Sequence, residues 1–339
     1  MRIAYLPDGR TANAAYRSIG PMLALAERGH ETRQLELDRI DAWHSTLRWC
    51  ELLHLHRVCD GGVVELARAA QATGAAVVWD DDDDVTRVPR GTAGYADAGG
   101  AKGKKRLAAR SKLFEAVDLV TTPSAVLADV FREGGAPEVQ VIENYVLDAF
   151  RGDRAPRNGG FRIGWVAAGE HLLDLEHVPV ASALQRLLDA HPHVHVTTIG
   201  VRLGLTSDRY LHMSGVPLTR LLHHVSAFDV GIAPLSTQLA MNLARSNVKL
   251  KEYAAVGVPW LASPIGPYTG LGERQGGRLV ADDRWHDELD ALVTNDRARR
   301  KLAKRATRWG NEQSIRRNAG CWERAFAHAM DRARSRVAA

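Results

Sequence analysis

The sequence is poor in the residues that mark several common functional classes. It has three cysteines (Cys50, Cys59 and Cys321) and no Cys-x-x-Cys pair, which excludes a cysteine zinc site and a disulfide framework. Aromatic residues make up 6% of the chain, and no RNA-binding or zinc-finger motif occurs, which disfavours specific nucleic-acid recognition. No apolar run approaches the ~18 residues of a membrane-spanning helix. No secretory signal follows Met1, so we predict a cytoplasmic protein. No His-x-x-x-His spacing pairs with a carboxylate, and we expect no metal and no cofactor.

Length and charge set the first positive expectations. A chain of 339 residues is too long for one ordinary core and predicts two domains of about 150 residues each. The net charge is +5, although one run of five aspartates contributes −5, so the rest of the chain carries +10. That excess suits a nucleotide diphosphate, an anionic lipid surface or a nucleic acid. The basic segment 297–308 fits either a solvated helix face or a patch for peripheral membrane contact.

Strand and helix patterns alternate along both halves of the chain. This alternation predicts α/β domains, each with a parallel sheet covered by helices. We expect a Rossmann-like first domain at 1–152, a Gly- and Pro-rich linker at 151–160, a second Rossmann-like domain at 160–312, and a C-terminal helix at 313–332. Between the domains we expect a ligand cleft. The predicted strands are 2–6, 52–56, 77–79, 118–122, 139–142, 161–166, 194–199, 230–234 and 260–262. A loop is expected at 91–105, and Thr122-Pro123 is expected to cap a helix.

The aspartate run, Asp80 to Asp84, directly follows the apolar segment from Ala75 to Trp79. A short apolar run of this kind reads as a buried strand, so the acids fall at its carboxyl end. Open α/β sheets bind their ligands at that edge. Five adjacent negative charges are unfavourable unless cations, water or hydrogen-bond donors compensate them. A solvated acidic loop is the alternative interpretation.

A second cluster of polar residues precedes the helix predicted at 247–256. Ser246 and Asn247 would open this helix, with Arg245 just before it and Lys249 one turn in. The positive end of a helix with two basic side chains is a plausible diphosphate cradle. Glu252 lies three residues after Lys249 on the same side of the helix, where a carboxylate could accept both hydroxyls of a ribose. An ordinary amphipathic helix with a surface Lys–Glu pair is the alternative.

The segment 252–259 resembles the donor-site helix of GT-B glycosyltransferases, especially the retaining group called family 4. Glu252 falls on the second glutamate of that family's Glu-x7-Glu motif, whereas Ala244 stands at the first. The departure puts the donor-sugar contacts in question, with Asn242 or Ser246 as replacements. The chain is similar to a subgroup with an Asn-x-x-Lys/Arg-Ser-x-x-Lys-x-x-Glu-Tyr pattern, matched here by Asn242, Arg245, Ser246, Lys249 and Glu252.

Other segments resemble the same subgroup, and together they span nearly the whole chain. Gly169 and His171 match a helix entrance in the second domain. Tyr16 and Arg17 resemble a Tyr-Arg pair near the first helix, and Arg57 follows a strand as an arginine does in relatives. The aspartate run resembles a Val-Val-Tyr-Asp-x-Asp-Asp element, placed where other family-4 enzymes carry an active-site histidine.

The resemblance implies a nucleotide-sugar-dependent glycosyltransferase of GT-B fold that acts with retention and without metal. Its catalytic residues would be Asp81, Asp82, Lys249 and Arg245. Donor binding would fall to Glu252, Ser246, Asn247, Asn242, Gly169 and His171, and acceptor binding to Tyr16, Arg17 and Arg57.

The acceptor class is left open by the sequence, among glycan intermediates, natural products, proteins and modified nucleic acid. Three alternatives to the function remain. A metal-dependent GT-A enzyme would use the aspartates as metal ligands. A sugar-nucleotide epimerase would share the GT-B architecture. A relative without catalytic activity would bind a sugar nucleotide and not turn it over.

Overall fold

The computed structural model describes residues 1–9, 11–36, 43–92, 94–151, 155–156 and 159–338. Six parallel strands form the sheet of the first half, in the order β2-β1-β3-β4-β5-β6. The order reverses between β1 and β3, which places a topological switch point there. The strands are β1 (Arg2–Leu6), β2 (Glu31–Gln34), β3 (Leu52–His56), β4 (Ala76–Asp80), β5 (Leu119–Thr122) and β6 (Val139–Val141).

Helices cover both faces of this sheet, because β1, β3, β4 and β5 are buried almost throughout and need apolar cover on each side. A π-helical turn at Ala15–Ile19 continues directly into the first long helix. The helices are α1 (Ala12–Ala14), α2 (Gly20–Glu27), α3 (Trp43–Trp49), α4 (Gly61–Ala72), α5 (Tyr95–Ala98), α6 (Gly100–Phe114) and α7 (Ala125–Glu133).

The second half repeats the plan with another parallel six-stranded sheet, in the order β12-β11-β10-β7-β8-β9. Here the switch point lies between β7 and β10. The strands are β7 (Phe161–Ala167), β8 (Val194–Gly200), β9 (Tyr210–Met213), β10 (Val230–Ala233), β11 (Trp260–Ala262) and β12 (Gly277–Leu279). The helices are α8 (Val180–Ala190), α9 (Leu218–Val225), α10 (Val248–Ala255), α11 (Trp285–Thr294), α12 (Asp296–Glu312) and α13 (Ile315–Ala338).

Helix α13 packs against the first sheet although it follows the second domain in sequence. Its buried Trp322 and Phe326 share a core cluster with Ile3 of β1 and Val78 of β4. Arg332 Nε also donates to the carbonyl oxygen of Asp118, 2.8 Å away. The last helix therefore ties the C-terminal part of the chain to the N-terminal core. No helix in the described ranges is long and apolar enough to cross a membrane.

The predicted elements differ from the structure at four places. Helix α6 begins at Gly100, inside the loop expected at 91–105, because its many Lys, Arg and Ala residues favour helix and outweigh Gly100 and Gly103. The N-cap of α7 is Ser124, whose hydroxyl accepts from the Leu127 amide at 3.2 Å, so Thr122-Pro123 is not the cap. Strands β2, β9 and β12 are absent from the predicted strands, since none of them has a buried apolar pattern. Part of the predicted linker, at 152–154 and 157–158, lies outside the described residues.

Candidate active site

The carboxyl ends of the two sheets meet at a cavity of about 260 Å³. Both switch points open toward it, as expected for a ligand crevice in an α/β sheet. The segment after β7 and the start of α10 form one wall, and the segments after β1 and β4 form the other. Polar lining residues are Asn13, Tyr16, Asp82, Asp83 and Asn144 from the first domain, and Glu170, His171, Arg245, Ser246, Lys249, Glu252 and Tyr268 from the second.

The cavity brings together seven of the thirteen predicted site residues: Tyr16, Asp82, His171, Arg245, Ser246, Lys249 and Glu252. Six do not line it. Arg57 lines an adjoining cavity of about 440 Å³, which shares Asp83, Glu170 and Arg245 with the first. Asn247 immediately precedes α10. The remaining four residues belong to the segments that form the walls but do not line the cavity. They are Gly169, Asn242, Asp81 and Arg17.

Helix α10 presents its amino end and its first polar side chains to the cavity. Its first-turn amides have no side-chain cap, and neighbouring Ser246 and Val248 line the cavity. Lys249 Nζ donates to the carbonyl oxygen of Val166 at the end of β7. Burial lowers the pKa of Lys249 to about 8, which the Glu252 carboxylate opposes. The lysine is therefore mostly protonated at pH 7, and this wall is suited to an anion.

Two hydrogen bonds join the domains across the cavity. The Tyr16 hydroxyl donates to Oε1 of Glu252, and Asn144 Nδ2 donates to the Ser246 hydroxyl at 3.1 Å. Burial raises the pKa of Glu252, against the hydrogen bond from Tyr16 and the charge of Lys249. In this conformation the Tyr16 hydroxyl is hydrogen-bonded to the Glu252 carboxylate, which the sequence analysis assigns to binding of a ribose.

A buried network holds the second-domain wall in place. Asp174, 1% exposed, accepts from His171 Nδ1 at 2.8 Å and, through its other oxygen, from Asn242 Nδ2 and the Ser236 amide at 2.7 Å each. Asn242 Oδ1 then accepts from Arg245 Nε at 3.0 Å. Burial lowers the pKa of His171 to about 4, despite the hydrogen bond to Asp174. His171 is therefore neutral with its proton on Nδ1, and its Nε2 is left as an acceptor.

The ends of the aspartate run serve the fold. Asp80, completely buried, forms a two-pronged pair with Arg17 (3.0 and 2.6 Å) and accepts from the Thr121 hydroxyl at 2.6 Å. Arg17 has no exposed surface, and its remaining donor is taken by the Ile142 carbonyl and Asn144 Oδ1. Asp84 accepts from the amide of Thr86 in the following turn. Arg17 thus lies in the core behind the cleft.

The middle of the run surrounds Arg57. Its guanidinium lies 2.8 Å from Asp83, 3.6 Å from Asp82 and 3.7 Å from Asp81. Arg57 has φ 60, the one positive φ among the described non-glycine residues, which marks a locally strained backbone. Burial lowers the pKa of Arg57, but the carboxylates outweigh it and raise that pKa above its ordinary value. The arginine therefore stays charged and compensates the acids.

The three carboxyls titrate differently because their surroundings differ. Burial raises the pKa of Asp81 to about 6, against the attraction of Arg57. Burial also acts on Asp82, but His56 and Arg57 outweigh it and lower its pKa. Burial and the charge of Asp82 raise the pKa of Asp83. Asp82, which lines the cavity and accepts from Asn13 at 3.3 Å, is thus the member of the group whose surroundings favour the ionised form.

Sequence reasoning missed seven residues of this site, among them Asn144 and Tyr268, which line the cavity. Asp83 lies in the run but was not selected, and Glu170 and Asp174 lie beside the selected His171. Asn13 and His56 gave no signal of their own, because only the fold brings them to Asp82. Among the described residues, no group of three or more His, Cys, Asp or Glu side chains is arranged to hold a metal ion.

No protein-family model and no curated protein matches the chain significantly. Solved structures do match over nearly the full length. Sucrose-phosphate synthase from Thermosynechococcus elongatus has a TM-score of 0.62 at 12% identity, covering 96% of this chain and 98% of that chain. HepE from Anabaena, solved in complex with UDP, has a TM-score of 0.61 at 13% identity, covering 98% and 100%.

A third similar structure is a putative UDP-N-acetylglucosamine 2-epimerase from Listeria monocytogenes, with a TM-score of 0.57 at 11% identity, covering 94% of both chains. Identities this low show the fold and nothing more. These structures confirm the predicted class of two Rossmann-like domains around a cleft. The second sheet contradicts the GT-A alternative, because a GT-A fold lacks a second Rossmann-like half. The chain has the GT-B fold.

Proposed function

We propose that this protein is a glycosyltransferase that moves a sugar from a nucleotide-sugar donor to an acceptor hydroxyl. The proposal includes retention at the anomeric carbon and independence of metal, as in the family-4 enzymes that the sequence resembles. UDP is the nucleotide to test first, since HepE, of similar fold, was solved with UDP.

One observation carries the proposal. Cationic groups at the start of α10 face an ionised carboxylate of the first domain across one cavity. Lys249 and Arg245 supply positive charge on one wall, and Asp82 supplies negative charge on the other. A nucleotide sugar needs both, because its diphosphate leaves as an anion while positive charge develops on the sugar ring.

On the donor wall, Lys249, Arg245 and the amino end of α10 would hold the diphosphate. As the bond between the anomeric carbon and the phosphate oxygen breaks, these groups would stabilise the leaving charge. Ser246 lies at the same helix end. The Glu252 carboxylate would accept hydrogen bonds from the ribose hydroxyls once its hydrogen bond with Tyr16 is broken. His171 Nε2, an acceptor, suits a hydroxyl of the donor, with Asn242, Asn247 and Gly169 shaping that wall.

On the acceptor wall, Asp82 would accept a hydrogen bond from the attacking hydroxyl and stabilise the positively charged sugar. As the hydroxyl oxygen bonds to the anomeric carbon, its proton would pass to the leaving phosphate oxygen. Asp81 is buried beside Arg57, so its contribution would be to hold that arginine. Arg57 already supplies a cation within 4 Å of four carboxylates, those of Asp8, Asp81, Asp82 and Asp83, which supports activity without metal. Arg17 would act only by fixing Asp80, at the base of the run.

We propose a cytoplasmic location, and the distribution of charge supports peripheral membrane contact through α12. That helix has exposed Arg297, Arg300, Lys301, Lys304 and Arg308. A sedimentation assay with anionic vesicles tests this contact; recovery of all protein in the supernatant would contradict it.

The proposed function is tested with a panel of nucleotide sugars. Nucleoside diphosphates that bind should raise the unfolding temperature by mass action. The matching sugar nucleotide should then release nucleoside diphosphate, with transfer to added acceptors detected by mass spectrometry. Inversion of the donor sugar at C2 without transfer would indicate an epimerase, and binding without any product would indicate a non-catalytic relative.

A further inference from the structure

A second groove lies on the first domain beside the proposed acceptor wall. Its volume is about 450 Å³, and it runs between α4 and α6. Val58, Cys59 and Ala109 form an apolar part of its lining. The charged lining residues are Asp8, Arg57, Asp60, Lys102, Lys105 and Arg106, so cations outnumber carboxylates by two.

Helix α6 supplies one cationic side of the groove. Lys102, Lys105 and Arg106 are spaced i, i+3 and i+4, and therefore lie on one face of the helix. The helix contains six basic residues and no acidic residue. Like charges at this spacing repel each other and disfavour the helix. Lys105 has no ion pair with any residue that the structure describes, and Arg106 has only Asp81, at 4.0 Å. An anion in the groove would relieve this repulsion.

Helix α4 adds backbone N–H donors to the groove, and the Asp60 carboxylate offsets part of the positive potential of this helix end. Its amino end, at Asp60 and Gly61, borders the groove. Asp60 Oδ1 accepts from the Val63 amide at 3.0 Å, which leaves the first two amides of the helix without a side-chain cap. A Cβ atom on Gly61 would meet nothing within 4 Å, so the helix end is open on that side. Amides at a helix start favour an oxyanion.

The groove is continuous with the cleft. It shares Asp8, Arg57 and Arg106 with the 440 Å³ cavity. That cavity in turn shares Asp83 and Arg245 with the 260 Å³ cavity between the domains. A molecule extending along this path would place one end near Asp82 and the other between α4 and α6. The groove is concave, so it fits a discrete group of a ligand better than a flat surface.

We propose that the groove between α4 and α6 binds an anionic group of the acceptor, a phosphate or a similar oxyanion, and so makes this a transferase for anionic acceptors. The assignment of the anionic group to an acceptor rests on the proposed function. The binding of an oxyanion at Lys102, Lys105 and Arg106 can be measured without it.

Inorganic phosphate is the probe, titrated by calorimetry into the full-length protein with and without saturating UDP. The test variant is Lys102→Glu/Lys105→Glu. The matched control is Lys104→Glu/Lys112→Glu, which makes the same charge change at exposed positions of the same helix outside the groove. We expect the test variant to lose at least about tenfold in phosphate affinity, the order of one charge-assisted hydrogen bond. The control should change by less than about threefold, because distant charges are screened.

The nucleotide titrations separate this inference from the proposed function, because absence of binding by UDP and by every other nucleoside diphosphate of the panel would contradict the function alone. Equal loss of phosphate affinity in both double variants would overturn the groove assignment, since only net charge would matter. Wild-type protein that fails to bind phosphate saturably would overturn it as well.

The last measurement is the binding of phosphatidylglycerol vesicles to the wild type and to the test variant. If the test variant loses vesicle binding but keeps phosphate affinity, the basic face contacts a membrane and the proposal is wrong.

Discussion

The two walls of the cleft hold their charged groups in different ways. On the second-domain wall, Asp174 accepts three hydrogen bonds and orders His171 and, through Asn242, Arg245. On the first-domain wall, three carboxylates crowd around the single guanidinium of Arg57. The first arrangement is a directional network with satisfied partners, and the second is a balance of charge.

The difference matters for how each wall responds to change. Removing one member of a directional network misplaces its neighbours, whereas removing one charge from a cluster shifts the pKa values of the others. Substitutions on the donor wall should therefore alter binding geometry. Substitutions on the acceptor wall should alter turnover and its pH dependence.

The largest effect is expected from Lys249→Ala. Loss of a charge-assisted contact to the leaving diphosphate should cost about 2–4 kcal/mol at the transition state, or roughly 10²–10³-fold in kcat/KM. Steady-state kinetics with the preferred donor measure this, and circular dichroism checks the fold. Lys301→Ala, on the exposed face of α12, is the control and should behave as wild type. Turnover by Lys249→Ala within about threefold of wild type would refute the diphosphate assignment.

Much of this donor wall could be predicted from the sequence. The strand and helix pattern gave the two sheets, and the spacing of Arg245, Ser246, Lys249 and Glu252 placed them at one helix end. Such relations are local, within one or two helical turns, so they are visible in the chain. Asp174 lies only three residues after the predicted His171, but its role depends on Asn242, which only the fold brings near.

The division of the aspartate run could not be predicted, because it is decided by distant partners. Asp80 pairs with Arg17 in the core, whereas Asp82 meets Asn13 and Arg57. Five identical residues in a row contain no pattern that distinguishes them. The contact between Tyr16 and Glu252 was likewise invisible, since it joins two domains.

The run therefore offers a paired prediction within one segment. Asp82→Asn should lower kcat by about 10²-fold with an unchanged free energy of unfolding, because the variant loses charge at the reacting centre. Asp80→Asn should instead lower the free energy of unfolding by about 3–5 kcal/mol, since it leaves Arg17 buried without its counter-ion. Urea denaturation and initial rates measure the two effects. The reverse assignment of effects would contradict the division of the run.

A smaller effect is expected from Asp174→Asn, which tests the network on the donor wall. An amide can offer its N–H to His171 and so favour the other tautomer, with the proton on Nε2. We expect donor KM to rise about tenfold, the order of one hydrogen bond to a charged group. The ¹⁵N shifts of the His171 ring should report the tautomer change, which general loosening of the fold would not produce. An unchanged tautomer with raised KM would argue against the positioning role.

The smallest effect is expected from Tyr16→Phe. Removing the hydroxyl frees Glu252 from its domain-crossing hydrogen bond, so UDP affinity should rise by about two- to fivefold, the scale of one net hydrogen bond. Tyr5→Phe, which removes a hydroxyl bonded to Gln34 of the edge strand β2, outside the cavity lining, is the matched control and should leave affinity unchanged. Weaker UDP binding by Tyr16→Phe would mean that the hydroxyl contacts the nucleotide.

Calorimetric titration of UDP against wild type and Lys249→Ala between pH 7 and 9.5 tests the central claim most directly. The range begins above the phosphate pKa of about 6, so the ligand charge is constant. Burial lowers the pKa of Lys249 to about 8, so the wild-type lysine loses its charge as the pH rises through that region. Bound diphosphate raises this pKa, so UDP affinity should be highest at pH 7 and decline toward pH 9.5. In Lys249→Ala, affinity should be weak and should vary less with pH. The same affinity and the same pH dependence in both proteins would contradict a diphosphate bound at the start of α10.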